Sequence, residues 1–125
     1  MAGTEANTTG SPPLTPAAFH ILLALADGER HGYGIMLRIA QFTEQQMRLG
    51  PGTLYRSLRT LLESGLIEES GERVDPTMSD ERRRYYRLTS QGRTAATAEA
   101  ARLDTLLRVA RAAQLLNTPP EGNAW

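Results

Sequence analysis

From Gly50 to Gly65 the chain carries a pattern that only a one-sided helix can use. Stepping about 100° per residue gathers Leu54, Leu58, Leu61 and Leu62 on one side. Thr53, Arg56, Thr60 and Glu63 gather on the other, with Arg59 beside them. Gly50-Pro51-Gly52-Thr53 turns abruptly into this helix, and Gly65 after Ser64 supplies its stop. A helix this short is stable in water only when neighbouring elements cover its leucines. The fold must therefore be helices laid around a core, with this polar side left outward. The 125 residues, 40% of them apolar, can fill one such core but not two.

The neighbouring elements follow from similar cues. Thr15 and Pro16 make a favoured helix start, and the spacing predicts a buried helix to Ala26 with Phe19, Leu22, Leu23 and Ala26 inward. Asp27-Gly28 ends it. A second helix is predicted from Gly32 to about Thr43 on an Ile35, Ile39, Phe42 stripe. The paired glycines of His31-Gly32-Tyr33-Gly34 point to close approach by another element. Met47-Arg48-Leu49 alternates as a short strand would. Leu66 to Ser70 and Arg82 to Leu88 are predicted to form a hairpin, with a polar, mobile loop between. Thr89 can cap a long last helix from Ser90 to Leu116, dense in alanine and leucine. Residues 1–13 and 117–125 offer little to bury and are expected to be flexible tails. The expected fold is mainly α with a small antiparallel β-hairpin (α+β). It is a winged helix-turn-helix over 14–89, followed by a helix over 90–116.

Composition removes several function classes. There is no cysteine, hence no disulfide, thiolate nucleophile or cysteine-held zinc. The two histidines, His20 and His31, lack a ligand-like spacing, and no metal or cofactor is expected. The longest apolar stretch, Ala17 to Ala26, is too short to span a bilayer, and the N-terminus lacks a signal-peptide pattern. The expectation is a soluble, intracellular protein. Catalysis would need acid, base or nucleophile groups gathered in a pocket. No Ser-His-Asp order stands out, and Glu68 and Glu69 are neighbours on opposite faces of a strand.

The fourteen basic residues, all of them arginine, balance fourteen acidic ones. Arginine offers a planar fork for phosphate or carboxylate, although the lack of lysine equally fits a bias in genomic base composition. The neutral total conceals a segregation. Arg82, Arg83, Arg84, Arg87 and Arg93 follow one another without an acid, while 68–81 holds Glu68, Glu69, Glu72, Asp75, Asp80 and Glu81. Arginines at 82–84 on a wing strand would reach phosphates or a minor groove. Equally, they could pair with Glu68, Glu69 and Glu72 across the hairpin. On the third helix, Thr53, Tyr55 and Arg56 lie where recognition helices meet base edges, with Arg59 and Thr60 one turn on. The Gly52 and Thr53 amides could hold a phosphate. The blander alternative is an Arg59–Glu63 pair on a solvated face. On the last helix, Ala96, Leu103 and Ala110 repeat at seven and Leu106 with Ala113 supplies the intermediate positions of a seam suited to self-association, with Leu107 just off that line; packing wholly back onto its own domain is the alternative.

The series His31-Gly32-Tyr33-Gly34, Gly50-Pro51-Gly52-Thr53-Leu54-Tyr55, Leu58, Leu61, Gly65-Leu66-Ile67 and Arg84-Tyr85-Tyr86-Arg87-Leu88-Thr89 with Gly92 closely resembles the PadR-like transcriptional regulators. The resemblance implies a dimeric bacterial repressor, cytoplasmic and nucleoid-associated when bound, on a palindromic double-stranded DNA operator. It implies that the third helix enters the major groove, the wing touches the backbone and the last helix dimerises. Carried over, Tyr33 falls on the family's second-helix tyrosine, Thr53, Tyr55 and Arg56 on its recognition positions, and Arg82, Arg83 and Arg84 on its wing. The single C-terminal helix resembles the short-tailed group. Relatives that stack flat drugs on a central tryptophan are not matched, since the one tryptophan is Trp125 near the end. A small-molecule effector is left open, with no residue assigned to it. A second reading, a winged-helix module that binds protein and not DNA, is motivated by the zero net charge and the acidic loop.

Overall fold

The computed structural model describes residues 14–77 and 81–117. The predicted tail at 1–13, residues 118–125 with Trp125, and 78–80 of the predicted loop lie outside the described residues. In chain order the elements are α1 (Pro16–Ala24), β1 (Arg30–His31), α2 (Gly32–Phe42), α3 (Pro51–Glu63), β2 (Ile67–Val74), β3 (Arg82–Leu88) and α4 (Ser90–Ala112). The three strands form one antiparallel sheet in the order β1-β3-β2.

Three local devices start the helices. The Thr15 hydroxyl accepts the Ala18 amide at 3.1 Å, with Pro16 in the first turn of α1. His31 caps α2 with a ring nitrogen, and Thr89 caps α4 with its hydroxyl. The core gathers Ile21, Leu22 and Ala24 of α1 with Leu25 just after it, Ile35 and Ile39 of α2, and Leu54, Leu58 and Leu61 of α3, closed by Ile67 and Tyr86 of the sheet. The leucine stripe of α3 is thus buried as its spacing requires, with Leu62 at its margin.

The wing joins α4 at one tight junction. The Thr89 hydroxyl accepts the Gly92 amide at 3.0 Å and donates to the Gly65 carbonyl at 2.6 Å. The Thr89 amide donates to the Leu66 carbonyl at 3.1 Å. Gly65 has φ +76°, the left-handed turn that ends α3. Gly92 lies so close to the α3–β2 turn that a Cβ there would stand 1.9 Å from the Leu66 oxygen.

Several expectations need correction. In α1, Ile21, Ala24 and Leu25 join Leu22 inside, whereas Leu23 is 38% exposed. A nearly unbroken apolar run does not say which side faces out, and α1 packs against α2, α3 and α4 together. There is no strand at Met47-Arg48-Leu49, because the Thr43 hydroxyl takes the Met47 amide at 3.1 Å. The extra strand is Arg30–His31, too short and polar to show alternation. β2 extends to Val74 by way of a bulge between Glu69 and Gly71, so much of the expected loop is ladder. α4 ends at Ala112, not Leu116, because Gln114 turns to φ +64° and the Leu115 amide bonds back to Ala110.

Since the atom facing position 92 is backbone and cannot swing away, Gly92→Ala is expected to cost at least about 2 kcal/mol. Urea unfolding of the variant beside the parent chain measures it.

Candidate nucleic-acid interface

The side of α3 away from the core carries the predicted residues together. Gly52, Thr53, Tyr55, Arg56, Arg59 and Thr60 are all exposed. No side chain caps the start of the helix, where Gly50 is the N-cap, so the first amides face outward without an acceptor of their own. Among the described residues, Arg56 and Arg59 make no ion pair or side-chain hydrogen bond. The alternative Arg59–Glu63 pair does not form. Thr60 turns its hydroxyl back onto the Arg56 carbonyl at 3.2 Å.

Tyr55 is placed by what residue 32 lacks. A Cβ at Gly32 would stand 2.6 Å from the Tyr55 hydroxyl oxygen, so the ring lies against bare backbone at the start of α2. This is the close approach expected from His31-Gly32-Tyr33-Gly34. Between α2, α3 and the wing lies a cleft of about 180 Å³, bordered by Tyr33, Tyr55, Arg82, Arg83 and Arg84. Tyr33 is 43% exposed, and the Arg83 guanidinium stands 5.5 Å from its ring centroid. The structure thus brings Tyr33, Tyr55 and the wing arginines to a single place, while Gly52, Thr53, Arg56, Arg59 and Thr60 do not border the cleft. It adds Glu81, which the sequence reading did not include, to the same cleft.

The wing arginines have partners, though not all of those considered from the sequence. Arg84 stands 3.7 Å from Glu69, Arg83 stands 3.9 Å from Glu81, and Arg82 donates to the Glu72 backbone carbonyl at 2.7 Å. Glu68 pairs instead with Arg87, at 2.8 Å. Tyr86 is buried at the wing root as expected, with Leu88 partly buried behind it.

His31 ties the wing to α2. Its Nδ1 accepts the Gly34 amide at 3.0 Å, so the ring proton sits on Nε2 and is donated to Asp75 at 2.9 Å. The ring is 3% exposed and stands edge-on to Tyr85. The Thr77 hydroxyl, then the His31 ring and the Thr77 amide, hold the Asp75 carboxyl down to about 2. His20 is only partly buried, stacked on Phe42 with its Nδ1 2.6 Å from the Pro16 carbonyl. Among the described residues no group of His, Asp and Glu could hold a metal ion, and no helix is long and apolar enough to cross a membrane.

On α4, one continuous stripe is covered at its start and bare towards its end. Gly92, Ala95 and Glu99 are buried against the rest of the chain, with Ala96 beside them. Further along, Leu103 and Ala110 are half-covered, while Leu106, Leu107 and Ala113 are exposed, Leu106 by 52%. Glu99 was not singled out from the sequence. Its carboxylate accepts the Leu14 amide at 3.3 Å and pairs with Arg102. The Arg102 contact holds that carboxyl below the usual range, against the opposing effect of burial.

Comparison with known proteins gives this geometry a context. The family model described as "Transcriptional regulator PadR-like family" matches residues 21–98. The transcriptional regulator Rv3488 of Mycobacterium tuberculosis is 36% identical over 89 residues, covering 71% of this chain and 77% of that protein. A 37.1 kDa protein of transposon TN4556 from Streptomyces fradiae is 40% identical over 80 residues, 64% of this chain but only 21% of that protein. Among solved structures, a transcriptional regulator from Clostridium thermocellum superposes with TM-score 0.63 at 25% identity, covering 76% of this chain and 86% of that one. Bacillus subtilis PadR in complex with operator DNA superposes with TM-score 0.57, covering 68% of this chain and 46% of that one. At 22% identity it shares the fold.

The Asp75 clasp has an acid signature with a definite sign. The folded carboxyl titrates near 2 and the free one near 3.8, so its contribution is present above about pH 4 and is lost as pH falls towards 2. Asp75→Asn is expected to melt below the parent at neutral pH, and the gap should close between pH 4 and 2. Melting curves of both proteins across that range measure it.

Proposed function

The chain belongs to the transcriptional regulator PadR-like family, and on that premise we propose a sequence-specific DNA-binding regulator that acts as a homodimeric repressor on a palindromic promoter operator. The family, the Mycobacterium tuberculosis relative and the Clostridium thermocellum structure are all described as transcriptional regulators. The observation that carries the reading is the outer side of α3. Two guanidinium groups, Arg56 and Arg59, stand there without internal partners, beside uncapped helix amides and above a buried leucine stripe. An arginine so placed can grip guanine O6 and N7 with two parallel hydrogen bonds, worth about 1–3 kcal/mol of discrimination. Thr53 and Tyr55 flank it, Gly52 and Thr53 offer amides to a phosphate, and Arg59 and Thr60 extend the contact by a turn. Tyr33 and the wing residues Arg82, Arg83 and Arg84 would flank it on the sugar-phosphate backbone.

Dimerisation is supported by the uncovered half of the α4 stripe. Leu103, Leu106, Leu107, Ala110 and Ala113 continue the line of Ala96, which packs on the same chain's core, and a second copy would bury them. Two such chains about a two-fold axis would read half-sites about one helical turn apart, near 34 Å. No residue is assigned to an effector, and nothing in the geometry calls for one.

Three measurements test this. Arg56→Glu is expected to weaken binding to the operator, found by genomic footprinting, at least about 100-fold, with dimer and melting temperature unchanged. An unchanged footprint would displace the recognition assignment from α3. Leu106→Glu should shift the chain from dimer to monomer in sedimentation while its far-ultraviolet circular dichroism stays the same. Operator affinity of the parent should fall steeply with salt, since each arginine–phosphate contact releases counterions. A flat salt response would favour the protein-binding module.

A further inference from the structure

The hairpin carries acid–arginine pairs on both of its faces. Cross-strand neighbours share a face of the sheet, and faces alternate along a strand. Glu69 is in register with Tyr86, so it shares the face of Tyr86 and Arg84, which border the cleft beside Tyr55. Glu68 is in register with Arg87 and lies on the opposite face, where Arg87 borders a separate hollow with Asp27, Glu29 and Arg93. The pairs also differ in form. Arg87 Nε makes a 2.8 Å hydrogen bond to Glu68, whereas Arg84–Glu69 and Arg83–Glu81 stand at 3.7 and 3.9 Å. Glu81 is 76% exposed and Glu69 47%. Pairs so loose and wet add almost nothing to stability. Arg83 has the strand parity of Arg87, but its guanidinium reaches the Tyr33 ring and borders the cleft, so each of two guanidinium groups there has a negative charge beside it.

Resting on the DNA-binding reading above, we infer that Glu69 and Glu81 are specificity-setting residues that brake non-specific DNA binding by cancelling the field of Arg84 and Arg83. Binding to arbitrary sequence runs almost wholly on phosphate neutralisation. A carboxylate about 4 Å from the guanidinium repels an incoming phosphate and competes for the same donors. This opposes every encounter with DNA. Only a site that also supplies base contacts to α3 outweighs it. Glu69 and Glu81 and the two arginines beside them thereby work as one device. The acids limit the phosphate attraction, and the arginines keep the geometry that a correct site can use.

The test uses the full chain and a fluorescent random-sequence duplex, titrated by anisotropy at several salt concentrations between about 50 and 200 mM. Glu69→Gln and Glu81→Gln should each bind this duplex about three- to tenfold more tightly than the parent at the lowest salt. Their log-affinity against log-salt slopes should be steeper by up to about one. Glu68→Gln, on the far face, should stay within twofold of the parent, and circular dichroism should show all four proteins folded. Equal affinity of all four for the duplex overturns the brake and leaves DNA binding intact. Weaker binding by the Glu69 or Glu81 variant also overturns it, since it assigns the carboxylate a direct attractive contact. Absence of binding by all four, even at the lowest salt, overturns the DNA reading together with the brake.

Discussion

A single hydroxyl, that of Thr89, sits where the architecture is decided. It receives the Gly92 amide in the first turn of α4 and gives its proton to the Gly65 carbonyl, just past the end of α3. One side chain therefore caps the start of α4 and ties it to the turn that follows α3. Gly92 makes this possible by letting α4 descend onto the Leu66 carbonyl. The order of the elements then has little freedom. β3 must leave the sheet at that point, α3 must end under it, and the leucine side of α3 must face α1 and α2. The outward direction of Arg56 and Arg59 is a consequence of this joint as much as of their own spacing.

Charge in this molecule is organised by position rather than by sum. Acidic and basic side chains cancel over the whole chain, yet the two arginines on the outer side of α3 have no acid to meet among the described residues. The wing arginines do. Arg73 and Arg83 stand opposite each other in the ladder, a like-charge pairing that would repel. Each is drawn aside by other company, Arg73 to Glu29 and the Tyr85 ring, Arg83 to the Tyr33 ring and Glu81. Aromatic faces and carboxylates thus aim the guanidinium groups in directions that repulsion alone would leave undecided.

Much of this was legible in the residues. Thr15, Pro16, Thr89 and Gly65 do what such residues do at helix ends, and the α3 stripe could be assigned to core and surface by angle alone. Regular periodicity carried that information. What escaped has a common cause, which is that it depends on partners far along the chain. Arg30–His31 forms a strand only because β3 lies beside it, and two residues hold no period. His31 looked like a helix start, and only the fold reveals the Asp75 partner 44 positions away. Leu23 belongs to an apolar run whose exposed member could not be chosen without knowing that α1 is flanked on several sides. Glu81 read as loop acid, since nothing local shows that Arg83 beside it reaches the Tyr33 ring. The charge boundary between 81 and 82 was the one available hint.

α4 is held rigidly at its first turn and stands clear of the domain beyond its midpoint. In a pair of chains joined through that free half, it behaves as a lever arm with the wing root as its fulcrum. A small change in the angle at which two such arms cross would be magnified over the distance to α3. The separation of the two α3 helices in such a pair would then be an output of packing at the far end.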